Sequence, residues 1–505
     1  MSVLEAFRKE SETISHLQNI GRLLNWDQQI MMTKSPQAVE VRGRQKAALA
    51  RLAHQRLVSD AFGDLLKRTR DELGDDSDSV DAHLLARWQR DRRRATSVSE
   101  ELVEKISLTG AKGFAAWREA KEKSDFSIFE PLLTEMFALK RQEAKQIGYD
   151  GHPYDPMIDE FEPGMTHAKV KELFEELRPH LARGVELISG SLMSQKLADG
   201  PLDQDYCVET QDRLARRLAA SIGFPVINRL DEGTHPFCSA NSSHDVRLVT
   251  RYHADDVNTG IFATLHESGH GLYELHSPNE LEFTPLRGGT SLGVHESQSR
   301  LWENLVGRSA PFWKWAYPLM QEFFPVQSHG YSWSDYYQAV NRVRPGFIRV
   351  EADEVTYSLH IILRFEVESA LFAGEIEARD IPHIWNQKVK ESLGIEVPND
   401  AKGCLQDIHW SDGLIGYFPT YALGNLIASD LWLHIGRALP DLEQQIQHGE
   451  FQPLLDWLIN NLYCHASRYQ PRDLLNRVLG HDIRVGPFVD YLKRKYSAIY
   501  EVNWS

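Results

Sequence analysis

Apolar residues recur at three- and four-residue steps along most of this chain, the period of an amphipathic helix. Leu4, Phe7, Ile14, Leu17, Ile20 and Leu24 fall on one face of a long first helix. Ser35 offers an N-cap oxygen and Pro36 a preset φ, so a second helix is predicted to start there, with Ala38, Val41, Ala48 and Leu52 on one face. The same spacing runs through residues 60–145, 167–195, 365–395 and 440–500. Two-residue alternation is scarce. Its best case is "DVRLVTRY", Asp245 to Tyr252, where Val246, Leu248 and Thr250 alternate and a strand is expected. Residues 223–243 read as loop or short strands. No internal repeat, low-complexity tract or linker rich in Pro, Gly or Ser divides the chain. The pattern predicts a mostly α fold, one unit over residues 1–505. Its parts are N-terminal helices over about 1–225, a middle part over about 226–430 holding a small sheet, and C-terminal helices over about 431–505.

Composition sets limits. With 42% hydrophobic and 25% charged residues, the chain can bury a large core. Acidic residues outnumber basic ones, 72 to 56, for a net charge of −16. That argues against nucleic acid as a partner, because phosphate binding needs a basic surface. The densest basic run, "RWQRDRRR" from Arg87 to Arg94, is expected to be a solvated helix face. Cys207, Cys238, Cys404 and Cys464 are widely spaced and make no disulfide framework. The opening "MSVLEAFRKESETISHL" lacks a signal-peptide core. The most apolar later stretch, "GLIGYFPTYALGNLIASDLWLHIG", is interrupted by Pro419, Asn425 and Asp430, so no membrane span is expected. The expectation is a cytoplasmic protein.

Two segments share the tripeptide His-Glu-Ser: "TLHESGHGLYELH" from Thr264 and "GVHESQSRLWEN" from Gly293. In the first, His266 and His270 are four apart, so a helix sets both imidazoles on one face, within reach of one ion. Glu267 lies about 100° round from His266. There it can reach a water on the ion without ligating it. Zinc lowers the pKa of such a water to about 7, and a neighbouring carboxylate can take the proton. Asp255, Asp256 and Asn258 offer N-cap oxygens, and Ile261, Leu265 and Leu272 a core face.

A catalytic zinc usually has three protein ligands and an open position. Two residues compete for the third place. His276 has the spacing of HExxHxxGxxH, but that motif turns the chain at a glycine, and here Tyr273 stands in its place. On a continuing helix His276 lies about 9 Å further along and about 240° round, out of reach. Glu296 opens a second helical pattern with Leu301, Trp302 and Leu305 behind it. A helix crossing the first would bring this one carboxylate to the two histidines, and Glu296 is favoured. His295 then points toward substrate or toward a hydrogen bond with a ligand. The repeated tripeptide is used in two registers, once for its histidine and once for its glutamate.

With both segments in place, the chain resembles the thermostable carboxypeptidase Taq family of metallocarboxypeptidases. The resemblance rests on "HPF" (His235 to Phe237), "DVRLVT" (Asp245 to Thr250), "HESGH", "HESQ" (His295 to Gln298), "IRVEAD" (Ile348 to Asp353) and "GCLQDIHW" (Gly403 to Trp410), in the family's order. "DEFEPGM" (Asp159 to Met165) and "GYFPTYALGN" (Gly416 to Asn425) also look like family segments. "LNWDQQIMM" (Leu24 to Met32) is looser, because the family usually has a Thr and a Met-Pro near its end and here "MMTKS" intervenes. The resemblance implies a mostly helical, zincin-like body with a deep central groove and a small sheet beside the active-site helix. It implies a homodimer that removes C-terminal amino acids from peptides with broad side-chain tolerance. It also implies His266, His270 and Glu296 as ligands of one zinc per subunit, with cobalt accepted, and Glu267 as the catalytic base.

A carboxypeptidase must hold a free α-carboxylate, and arginine offers two parallel donors for two oxygens. Arg349 in "FIRVEADE" is the first candidate, unless it is spent on an ion pair with Glu351, Asp353 or Glu354; Arg247 is the second. His409 and Tyr421 are candidates to donate to the oxyanion of the tetrahedral intermediate, with Gln406 and Asp407 orienting His409. His235 is expected on the groove wall, and "DVRLVT" as an edge strand that pairs with an extended peptide. The main reading is a zinc carboxypeptidase. A zinc endo-oligopeptidase of similar fold would share the metal chemistry without a carboxylate clamp. A helical binding protein with a structural metal would need a fourth ligand and no adjacent base.

Overall fold

The computed structural model describes residues 2–74, 78–196 and 200–504. Helices dominate, as the periodicity predicts. The first, Val3–Ile30, opens with a capping box between Ser2 and Glu5. The second, Pro36–Val58, starts at the predicted place, with the Ser35 hydroxyl accepting from the Ala38 N–H. Its apolar face is not buried: Val41 and Leu52 are 55% and 50% exposed. Periodicity marks a face but not what covers it, and here little does. These two helices, with Asp60–Leu73 and Val80–Ser97, enclose a separate small core around Phe7, Ile14, Phe62, Leu66 and Trp88, completed by Leu281, Leu286 and Ala466. The main core runs through the rest of the chain.

The basic run lies on Val80–Ser97 and is an ion-paired face, not a solvated one. Arg87 pairs with Asp91, Arg90 with Asp159 and Arg94 with Glu160, while Arg92 donates to the carbonyls of Val58 and Ser59. The run fastens the N-terminal layer to residues 156–160.

The sheet has three strands among the described residues: β1 (Arg229–Glu232), β2 (Phe237–Ser242) and β3 (Asp245–Thr250). Their order is β1-β3-β2, with β3 parallel to β1 and antiparallel to β2. The "DVRLVT" strand is therefore central and cannot offer an edge. The sheet's edges are β1 and β2, and β2 is the edge that packs beside the helix Val257–Leu275. No helix among the described residues is long and apolar enough to cross a membrane.

Two buried carboxylates brace the middle of the fold. Glu368, on the helix Tyr357–Ala373, accepts from the Tyr154 hydroxyl, from Trp410 Nε1 at 2.6 Å and from the Gly416 N–H at 2.9 Å, which ties down the loop that carries His409. Glu162, in the "DEFEPGM" segment, accepts from the Gly293 N–H at 2.9 Å, at the start of the second His-Glu-Ser helix. Burial pushes both carboxyls up to about 7. For an acid raised in the folded state, the contribution to stability is complete below the unfolded value of about 4.5 and is lost as pH rises through about 7. Glu368→Gln should therefore flatten the fall in thermal stability between pH 5 and pH 8, by up to about 3 kcal/mol at the alkaline end. An unchanged slope would mean that Glu368 is ionised throughout.

Candidate active site

The helix Val257–Leu275 is capped by Asp256, whose carboxylate accepts from the Asn258 N–H at 3.0 Å. It is buried on nearly every side, with Ile261, Leu265 and Leu272 in the core. It crosses the helix Leu292–Arg300, and Gly269 sits at the crossing. A Cβ there would lie 2.5 Å from the Gln298 carbonyl oxygen and 2.7 Å from Ser299 Cα, so backbone meets backbone. On the opposite side Gly424, in the helix Pro419–Ala438, lets that helix approach Glu296, where a Cβ would meet Glu296 Cγ at 2.5 Å. Gly269→Ala must push the first two helices apart. It is expected to cost about 1–3 kcal/mol of stability and to weaken metal retention, read by thermal unfolding and metal titration. Wild-type values in both would refute a close crossing.

This crossing brings His266, His270 and Glu296 together, with ligating atoms all within 4.8 Å of one another. Glu296 Oε2 lies 3.6 Å from His266 Nε2 and 3.5 Å from His270 Nε2. Each of the three is held from behind. His266 Nδ1 meets Glu303 Oε2 at 2.8 Å. His270 Nδ1 meets His295 Nδ1 at 2.7 Å, and His295 Nε2 meets Glu274 Oε1 at 2.9 Å. Glu296 Oε1 accepts from Arg300 Nε at 2.7 Å. These bonds turn both Nε2 atoms and one carboxylate oxygen toward a common point, a donor set that suits zinc. Glu303 arrives on a wider π turn, Leu301–Val306, that follows the helix.

The electrostatics match that role. Burial pulls His270 down to about 4, so its imidazole is neutral near pH 7. Burial also pulls on His266, but Glu296 and Glu303 outweigh it and hold the group up at about 9, so a cation binding there displaces a proton. Burial opposes ionisation of Glu296, yet Arg300 and His266 keep it well below the usual carboxylate range. Glu267 differs from all of these. It is buried, and its side chain has no hydrogen-bond or ion-pair partner among the described residues. Burial pushes its carboxyl up to about 7, close to working pH, which is where a general base is most effective.

The remaining sequence candidates fall in different places. His276 ends its helix, with Nδ1 2.8 Å from the Leu272 carbonyl and its ring stacked on Tyr463, and it is not part of the His266, His270 and Glu296 cluster. Both nitrogens of His295 are occupied, by His270 and Glu274, which leaves none for substrate. Arg247 pairs with Asp245 at 2.7 Å and lies 4.2 Å from the Trp26 ring, fastening the first helix to the sheet. His235 is exposed on the bend before β2. Arg349 does not pair with Glu351, Asp353 or Glu354. Its Nε and Nη2 donate to Asp407 Oδ1 at 3.1 and 2.8 Å, and its Nη1 donates to the Tyr357 hydroxyl at 3.2 Å. Of its five N–H groups, one on each terminal nitrogen is left over. Arg364 shares the same carboxylate at 2.5 Å, so two cations face one anion.

Tyr421 lies 4.9 Å from the Arg349 guanidinium, and its hydroxyl is 3.4 Å from His409 Nε2. Burial lowers His409 to about 4, so it is neutral. Asp407 is 4.0 Å from His409 Nδ1, beyond hydrogen-bond reach, and Gln406 instead accepts from the Arg349 backbone N–H at 2.8 Å. The His409 ring is therefore set by Tyr421 and by Phe418, whose centroid is 4.5 Å away. Sequence reading missed Arg300, Glu303 and Tyr357. The first two were detectable, because Glu296, Arg300 and Glu303 stand at i, i+4 and i+7 on one helical face. Tyr357 joins the two halves of the site, under the Arg300 guanidinium at 4.4 Å and bonded to Arg349.

A histidine pair one turn apart, a glutamate from a crossing helix and an unpaired buried carboxylate beside them define an HExxH metallopeptidase. The pattern of the carboxypeptidase Taq (M32) metallopeptidase family matches residues 6–496. The chain is 41% identical over 506 residues to thermostable carboxypeptidase 1 of Thermus thermophilus, spanning 98% of each. It is 36% identical to carboxypeptidase 1 of Bacillus subtilis, spanning 96% of each. The solved carboxypeptidase of Pyrococcus furiosus superposes with a TM-score of 0.94 at 35% identity, covering 98% of this chain and 99% of that one. The chain therefore belongs to the carboxypeptidase Taq family of metallopeptidases and is a metallocarboxypeptidase.

Proposed function

We propose that the enzyme releases C-terminal residues one at a time, with broad side-chain tolerance, using one zinc ion per chain on His266, His270 and Glu296. Cobalt should substitute for zinc. The observation that carries this reading is Glu267, a buried and unpaired carboxylate beside three converging ligands. Bound there, a divalent cation supplies Lewis acidity to a water and to the scissile carbonyl. Glu267 takes the water's proton and passes it to the leaving amine. The Tyr421 hydroxyl, with neutral His409 beside it, donates to the developing oxyanion. Arg349 meets the α-carboxylate with the two N–H groups its own ion pair leaves free. The positive surplus of the Arg349–Asp407–Arg364 cluster offsets the cost of burying that carboxylate. His295 holds the His270 ring, and Arg247 holds the first helix in place.

We also propose, following the family resemblance, that the 505 residues act as one catalytic unit, that two copies pair, and that the enzyme works in the cytoplasm. The test of function is product identification by mass spectrometry on one peptide as free acid and as C-terminal amide. Single residues should be lost stepwise from the free acid only. Chelation should stop the loss, and zinc or cobalt should restore it. Internal cleavage of both forms would make the enzyme an endo-oligopeptidase, and full activity after exhaustive metal removal would exclude a metal mechanism.

A further inference from the structure

A cleft of about 810 Å³ lies between the first two helices and the edge strand β2. Residues 237–240 of β2 form one wall. His295 and Glu274, the residues that stand behind the metal ligand His270, also line the cleft. Arg349, His409 and Tyr421 do not line it. A peptide whose C-terminus meets Arg349 must send its upstream residues out of the centre by another route. The Ala240 carbonyl on this strand already accepts from Arg287 Nη2 at 3.1 Å, and the rest of a strand edge lining a cleft of this size suits an extended chain.

The charge inside the cleft is unbalanced. Its two acids are already neutralised, Glu274 by Arg287 at 2.6 Å and Asp91 by Arg87 at 2.8 Å. Arg22, from the first helix, is attracted by Glu274 without an ion pair to it, and Lys46, from the second, is not neutralised. Arg22 donates to Asn19 Oδ1 at 3.2 Å. Lys46 donates to Asn25 Oδ1 at 2.8 Å and Gln28 Oε1 at 3.3 Å. Neither makes a direct ion pair or hydrogen bond with a carboxylate among the described residues, in a chain of net charge −16. Arg22 keeps its solvent contact although protein surrounds it, and crowding lowers its pKa. A carboxylate would displace weak amide acceptors from both groups, since charge-assisted bonds are the stronger kind.

We propose that this cleft is the subsite for the upstream residues of the peptide, and that Arg22 and Lys46 select acidic side chains there, an inference that rests on the carboxypeptidase reading above. The test uses free-acid peptides that share their last two residues and carry Glu, Gln or Lys at roughly the third to fifth positions from the C-terminus, where a strand rising about 3.3 Å per residue has left the metal. The Glu series should exceed the Lys series about tenfold in kcat/KM, with Gln between, and the gap should shrink in high salt. The double variant Arg22→Gln, Lys46→Gln should bring the Glu-to-Lys ratio to about one, and Arg22→Glu should invert it. Equal rates for the three wild-type series, or an unchanged ratio in the variants, would overturn the proposal. An N-blocked dipeptide, too short to reach the cleft, is run alongside with the wild-type enzyme. If it is hydrolysed while the longer series show no discrimination, the subsite fails alone. If no free-acid substrate is hydrolysed, the carboxypeptidase reading fails first.

Discussion

Glu267→Gln should lower kcat by about 10²- to 10⁴-fold, the usual contribution of a positioned general base, while KM changes little. The amide fills the same volume but cannot accept the water's proton. Because the Glu267 side chain has no partner among the described residues, the substitution breaks no ion pair. It also removes a carboxyl that burial holds at about 7, so the cost of ionising it at neutral pH disappears. Thermal stability should therefore stay level or rise as turnover collapses. A kcat within tenfold of wild type, or a large fall in Tm, would show that Glu267 serves the fold and not the chemistry.

Arg349→Ala should lower kcat/KM at least about tenfold on free-acid peptides. A charged hydrogen bond of this kind contributes about 1.5–3 kcal/mol, and each 1.4 kcal/mol is about tenfold. Asp407 keeps Arg364 as its partner, so no buried anion is stranded. Metal content should not change, and amidated peptides should lose little further. Lysine should restore part of the activity, since it brings the charge without the planar fork. Steady-state kinetics on matched free-acid and amidated peptides decide the matter. Equal proportional losses on both would make Arg349 a structural cation.

The convergence of His266, His270 and Glu296 was legible because most of its logic is local. The four-residue step between His266 and His270 fixes a shared helical face. Helix geometry alone removes His276. What sequence could not show is mostly long-range. The partner of Arg349 is Asp407, 58 positions away, while three nearer acids looked more plausible. Strand β3 reads as an edge because β1, its second neighbour, has only four residues and no clear alternation. The stripe of Val41 and Leu52 has the right period for burial, but period says nothing about whether another layer covers it. Glu162 and Glu368 resemble surface acids in sequence, and only the fold buries them.

The division of labour between the two His-Glu-Ser copies is tested most directly by metal content. Wild type, Glu267→Gln and Glu296→Gln should be dialysed against the same chelator and their bound zinc measured by elemental mass spectrometry. One ion per chain should remain in wild type and in Glu267→Gln, because Glu267 does not ligate. Glu296→Gln should retain far less, because it loses the one carboxylate that faces both histidines. Equal zinc content in the two variants would contradict the assignment.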